Sequence, residues 1–520
     1  MFLINGQFPG PLIQANWGDW VEVTVTNNIQ APEEGTSLHW HGLLQAGTQW
    51  QDGVPGVSQC PIAPGETYTY RFRADQFGSS MYHAHYSAQY TAGVYGAMIT
   101  YGPTQLDYDI DVGPVIVSDW NHIPYFSIVQ NVMTMNMSEY PTYSDSGLIN
   151  GRGRFDCSKP SYGQSFNDSN WLASNYPSTL QWSCVDDAQR SQFRFQSGKT
   201  HRLRLMNVGA DGFQRFSIDG HTMTVIALDY VPVQPYTTDS IMLGISQRAD
   251  VLITADASST SSFWMRSELL NAATCGGLAP PGINEFPIFA EVYYEDADTT
   301  LEPVSTTTVK STSCNNAPID ITQPEYVIPP STQPFYQDLV LTMTVNDTGS
   351  WEWEINGQTY RADYNNPLLY DAADGQTSFP SDPQYNLYNF ASNTSVVLNI
   401  TNATPFPHPI HMHGHNFYVL NVGGVGAPWD GSTVNPTNPL RRDVQIVPPL
   451  GFIAIQFEAN NPGIWPLHCH VAWHLSGGWY INVMSQPELL TIPAGERDLT
   501  CKAWDAWTAK NVVDQIDSGS

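Results

Sequence analysis

Basic residues are scarce in this chain. Its 520 residues hold 20 Lys+Arg against 49 Asp+Glu, a formal net charge of -29. A surface of that sign repels phosphate backbones and anionic headgroups, which excludes nucleic acid and anionic membranes as partners. Charge of either sign is thin at 13 %, below the roughly 25 % of an average domain. Long apolar runs are missing: nothing reaches the ~18 residues expected of a membrane span. No leader pattern is visible. Helical periodicity is rare, with short candidates only at 86–93 and 502–509.

Turn chemistry is abundant instead. With 40 Gly and 38 Pro, the chain breaks into short alternating runs such as 21–25, 68–72, 201–205, 251–254 and 396–400. These read as strands of β-sandwiches, so an all-β fold is expected. The length allows two to four domains. The segment Leu3-Ile4-Asn5-Gly6-Gln7 is echoed by Ile355-Asn356-Gly357-Gln358, and Val23 to Asn27 by Val397 to Asn402. Each echo precedes a histidine cluster, which marks an internal repeat. The middle third has strands but no such cluster. A Ser/Thr/Pro-rich stretch, 299–334, reads as a linker.

Histidine is concentrated at the two ends. Most of the 14 histidines fall in His39-Trp40-His41, His83-Ala84-His85, His408-Pro409-Ile410-His411-Met412-His413 and His468-Cys469-His470, with His474 just beyond. In a strand, residues i and i+2 share a face about 6.6 Å apart, a spacing that suits metals ~3.5–4 Å apart. Cys469 points the other way from its flanking histidines. It can bind one metal while they bind others, which makes a covalent link between two centres. Thiolate with imidazole is a copper electron-transfer ligand set. His122, His201 and His221 have no such spacing and are read as structural; His415, left over in His413-Gly414-His415, is read as a structural or supporting histidine rather than a ligand.

These clusters, with their surroundings (HWHGLLQAGTQWQD, MYHAHYSAQYTAG, HPIHMHGHNF and HCHVAWHLSGG), resemble the copper signatures of multicopper oxidases, and in particular laccases of the ascomycete fungi. The resemblance spans nearly the whole chain. It implies three cupredoxin-like Greek-key sandwiches: 1–105, 106–298 without copper ligands, and 335–520. It implies four copper ions. Type 1 copper would take His408, Cys469 and His474. Type 2 would take His39 and His411. The type 3 pair would take His41, His83, His85, His413, His468 and His470. It implies a laccase-like reaction, in which phenols or aromatic amines are oxidised one electron at a time while dioxygen becomes two waters. Ferrous or manganous oxidases and bilirubin-type oxidases share the scaffold and are the alternatives. A copper-binding glycoprotein without turnover would need no such ligand set.

By family position, Asp52 supplies protons to reduced oxygen, although Asp52-Gly53 is also a common turn pair. Asp211 accepts the phenol proton in the donor pocket, where His474 presents its ring edge. Ten residues after Cys469 stands Trp479, where the family usually places Leu, Phe or Met, so a three-coordinate type 1 copper is expected. Ala92 and Ala472 occupy positions where some relatives carry an acid. The tail Asp517-Ser518-Gly519-Ser520 resembles the processed C-terminus of these laccases; it either plugs a channel to the cluster or frays. In the family, earlier strands precede the segment at Met1; without them an open sheet edge is expected there.

Seven cysteines leave one unpaired after three disulfides, and Cys469 is the natural odd one. The resemblance suggests Cys60–Cys501 and Cys275–Cys314, leaving Cys157 with Cys184. Sequons at Asn136, Asn167, Asn346, Asn393, Asn399 and Asn402, in an acidic, Lys-poor chain, point to a secreted glycoprotein. A monomer is expected.

Overall fold

The computed structural model describes all residues except 31–32, 135–143, 159–183, 271–286, 308, 310–313, 348 and 514. Its strands form three cupredoxin-like Greek-key β-sandwiches in succession. In the first, a sheet ordered Gly10–Asn16, Tyr95–Tyr101, Gly78–Ala84 and Leu38–Trp40 faces a pair, Trp20–Thr26 and Thr67–Arg73. The second and third sandwiches each pack a six-stranded sheet on a five-stranded one.

Alternation sets which side chains face inward. In Thr67–Arg73 the row Tyr68, Tyr70 and Phe72 is buried and the row between is exposed. Tyr70 and Phe72 close on Trp40 of the opposite sheet, with ring centroids 5.2 and 4.6 Å away. Full burial of such side chains contributes roughly 2 kcal/mol each. The neighbouring strand Trp20–Thr26 alternates too, but its inward row of Val21, Val23 and Val25 stays half exposed. These residues line a groove of about 1620 Å³ with Ile13, Tyr125 and Phe126. An open sheet edge does lie at this end: Trp20–Thr26 pairs only with Thr67–Arg73 among the described residues.

The repeat is visible in detail. Ile4 and Gln7 exchange two backbone hydrogen bonds around Asn5-Gly6, and Ile355 and Gln358 do so around Asn356-Gly357. Both turns have positive φ at both central residues, 52° and 75° in the first, 53° and 75° in the second. Asn and Gly are the residues that tolerate this. Asn27 and Asn402 also match. Each side-chain oxygen accepts the N–H two residues on, and each amide donates to two backbone carbonyls.

Some expectations shift. The candidate 502–509 is the helix Asp498–Thr508, whereas 86–93 holds only a 3-10 turn, Gln89–Ala92. The helix Tyr125–Thr134 was not anticipated. Its signal is present: Pro124 opens it, and Tyr125, Ile128, Val129 and Val132 share one buried face. The described residues of 299–334 lie against the second and third sandwiches, as where Trp264 N donates to Ser305 Oγ and Arg441 donates to Tyr326 O. Cys60 is bonded to Cys501 and Cys157 to Cys184, and Cys469 is a free, buried thiol. Cys275, Asn136 and Asn167 fall outside the described residues. Asn402 corrects the sequon reading. It is 1 % exposed, and its amide is spent on Phe406 O and Pro448 O, so it cannot accept a glycan as folded.

Candidate metal centre

Strand register brings the histidines together. Leu38–Trp40 runs antiparallel to Gly78–Ala84 with His39 opposite His83. In the third sandwich His408–Met412 runs antiparallel to Gly463–Cys469, with His411 opposite His468 and Ile410 opposite Cys469. The two faces meet: His39 stacks on His413 and His41 on His411, each pair 3.9 Å between centroids. Two triangles of rings result. His41, His83 and His470 stand 5.6, 5.2 and 5.2 Å apart. His85, His413 and His468 stand 5.2, 5.5 and 5.3 Å apart. His39 and His411 form a remaining pair, 6.0 Å apart. The pairs His39/His41, His83/His85, His411/His413 and His468/His470 are therefore each split between two groups.

All these rings are buried. Burial, and then neighbouring imidazoles, hold His41, His85, His411, His413 and His470 well below the usual histidine range. His83 is brought down to about 3 and His468 to about 4. These seven rings are neutral at ordinary pH and offer lone pairs.

The opposite face of the strand Gly463–Cys469 forms a second group. Cys469 Sγ lies 3.7 Å from His408 Nδ1 and 3.5 Å from His474 Nδ1. The short helix Ala472–Ser476 returns His474 to the cysteine's side. Thr404 Oγ1 fixes His408 through its Nε2 at 2.7 Å. The Trp479 ring stands edge-on to His408 at 4.1 Å, and its indole N–H donates to Glu354 O. One expectation fails: His474 is only 2 % exposed. The Trp353 ring covers it at 4.0 Å, a contact that the sequence did not reveal.

Two aspartates serve the histidine cluster. Asp52 accepts from His413 Nδ1 at 2.8 Å, while its backbone oxygen accepts from His39 Nδ1 at 2.8 Å. Asp443, missed in the sequence, mirrors it. Its backbone oxygen accepts from His411 Nδ1 at 2.8 Å, and its carboxylate faces His41 Nε2 at 3.4 Å. Burial pushes the Asp443 carboxyl up, and Arg248 beside it pulls the other way. Asp211 is buried near Cys469. Asp119, also missed, shapes its loop by accepting the N–H groups of Ala210, Asp211 and Gly212. Ala210 O in turn accepts from Ala472 N at the start of the His474 helix. The tail is not frayed. Asp517 is 2 % exposed and accepts from Ser87 Oγ at 2.7 Å, while Ser518 and Gly519 bond Ala362, Leu475 and Tyr364. His415 packs on Phe457 and Trp465, apart from both groups.

Multicopper oxidase profiles match residues 1–105, 111–279 and 334–488. The chain is 36 % identical to Laccase-2 of Botryotinia fuckeliana, covering 99 % of this chain and 84 % of that one. It is 35 % identical to a laccase of Cryphonectria parasitica, covering 100 % and 85 %. The crystal structure of the Botrytis aclada laccase superposes with a TM-score of 0.88 at 34 % identity, covering 100 % of this chain and 90 % of that one. Fet3p, a multicopper oxidase that functions in iron import, is similar at a TM-score of 0.82 and 25 % identity, covering 99 % and 93 %.

The chain belongs to the multicopper oxidase family. Its reaction is that of a laccase-like oxidase, and four copper ions of types 1, 2 and 3 belong to it. The donor set of this multicopper oxidase fits them. His39 Nε2, His411 Nε2 and both ring nitrogens of His85 and His470 are buried with no hydrogen-bond partner among the described residues. Such orphans are costly unless a metal takes them. Burial first, then Asp211, pushes the Cys469 thiol up, so a thiolate there calls for a compensating cation.

Proposed function

We propose that His408, Cys469 and His474 hold the type 1 copper, His39 and His411 the type 2 copper, and the two ring triangles the type 3 pair. The observation that carries this reading is the split of the pairs His39/His41, His83/His85, His411/His413 and His468/His470 between groups, with Cys469 alone on the far face. Bound there, the coppers supply one-electron uptake from the donor and four-electron reduction of dioxygen to two waters. The protein does the rest. The Cys469–His468 and Cys469–His470 peptide links give a covalent route between the two centres. Asp211 takes the proton that a phenol or aromatic amine loses on oxidation. Asp52 hands protons toward the cluster through a carboxylate oxygen, Oδ1, that has no hydrogen bond among the described residues. Trp479 presents an apolar ring and no donor atom toward His408, which favours reduced copper and a raised potential.

The domains on this reading are 1–105, 106–298 and 335–520, joined by 299–334. The protein is secreted and monomeric, and no helix among the described residues is long and apolar enough to cross a membrane. Oxygen uptake by copper-loaded protein tests the donor class. A diphenol should drive rapid uptake with a strong blue band present. Uptake with ferrous ion but not with the diphenol would reject the phenol-oxidase reading, and a loaded protein with no blue band would reject the Cys469 assignment.

A further inference from the structure

Among the described residues the second sandwich contributes no ring to either centre, yet one of its side chains reaches beneath the histidines. Arg248 opens the strand Arg248–Thr254. Both Arg248 and Asp443 are fully buried. The guanidinium donates from Nη1 to Oδ1 at 2.5 Å and from Nη2 to Oδ2 at 2.6 Å. This fork fixes the plane of the carboxylate. In that plane Oδ1 stands 3.4 Å from His41 Nε2 and 3.7 Å from His411 Nδ1.

Arg248 is itself tightly held. It donates to Ser246 O at 3.1 Å and lies over the Tyr230 ring at 5.5 Å. Gly42, next to His41, makes the room. Its φ is +79°, and a Cβ there would fall 2.5 Å from Arg248 Nη2 and 2.6 Å from Asp443 Oδ2. A side chain there would push the pair apart and strain the backbone.

We infer that Arg248 is a positioning residue for the type 2 end of the cluster. It clamps Asp443 so that His411 keeps Nε2, and His41 keeps Nδ1, turned toward the metals. The inference rests on the ligand assignment proposed above. A lysine keeps the charge but makes a point contact, and a neutral side chain leaves a buried carboxylate free to turn toward the histidines. Loss of a group that orients a ligand typically weakens metal binding by about 10–100-fold.

The test compares Arg248→Gln and Arg248→Lys with Arg442→Gln. Arg442 sits in the same buried network, donating from Nε to Asp229 Oδ2 at 3.0 Å. No hydrogen bond joins it to the Asp443 carboxylate among the described residues. Each protein is titrated with copper while the blue band, the type 2 paramagnetic resonance signal and the copper content are read. Arg248→Gln should need roughly 10–100-fold more free copper to develop the type 2 signal, with the blue band kept. Arg248→Lys should fall between, and it carries the test alone if Arg248→Gln does not fold. Arg442→Gln should bind copper as the parent does. Parental filling in both Arg248 variants would overturn the inference, and so would an equal loss in Arg442→Gln, which would make the network merely structural. A loaded parent without any type 2 signal would sink the ligand assignment itself, and this inference with it.

Discussion

The first and third sandwiches present the same four-histidine plan, and they differ at one central position. His39 faces His83 in one, and His411 faces His468 in the other. In each the second partner opens a His-x-His unit, with Ala84 in the middle of the first and Cys469 in the middle of the second. His83 Nδ1 donates to Ala84 O at 2.9 Å, and His468 Nδ1 donates to Cys469 O at 3.0 Å. Backbone and ring geometry are thus the same on both sides. The residue between the rings decides whether the far face of the strand is plain core or a second metal centre. His408 and His474, which have no counterpart in the first sandwich, complete that centre.

The strongest way to break the comparison is to make the third strand like the first. Cys469→Ala should abolish the blue band and reduce diphenol turnover to background, while the histidine cluster still fills with copper. Retained turnover would show that electrons reach the cluster without Cys469. A smaller effect is expected from the paired acids. Asp443 is clamped by an arginine, and Asp52 is not. Asp52→Asn should slow reoxidation by dioxygen by about 10–100-fold and leave the blue band intact. Rapid-mixing reoxidation of the reduced enzyme reads this, and an unchanged rate would remove Asp52 from proton supply.

The ligands of both centres stood out in the sequence because metal chemistry needs rare residue types at a strand's spacing. The repeat was legible for a similar reason, since Asn-Gly marks a turn that few other pairs can make. Asp443 and Arg248 were not legible. Neither stands in a motif, and their meaning arises only where the second sandwich meets the third. Trp353 hid for the same cause: its role is to cover His474, which lies far along the chain. The helix Tyr125–Thr134 did carry a readable pattern, an apolar face behind Pro124, which the surrounding strand signals masked.

Trp479 extends the comparison to electronic tuning. It is fully buried against His408, in the one sandwich that carries the thiol. Trp479→Met would bring a thioether sulfur to the copper, which stabilises the oxidised ion. Redox titration of the blue band should give a lower potential than the parent. A rise or no change would mean that the ring acts through packing instead.

The mildest prediction concerns an acid found only on the first side. Asn27 donates to Glu34 O, and Asn402, its counterpart, donates to Phe406 O. An acid therefore stands where the third sandwich has a phenyl ring. Burial lifts Glu34 to about 7 from 4.5, against hydrogen bonds from Tyr125 and Gln89, with Asp517 adding to the rise. Between those values the folded chain keeps a proton that the unfolded chain releases. Stability should therefore fall as pH rises from about 4.5 to about 7, by up to roughly 3 kcal/mol for this group. Glu34→Gln should remove that part of the slope, since the amide cannot ionise. Denaturant unfolding of the copper-loaded protein at both ends of the window measures it. An identical slope in parent and variant would place the pH dependence elsewhere, with the buried Asp517 as the next group to replace.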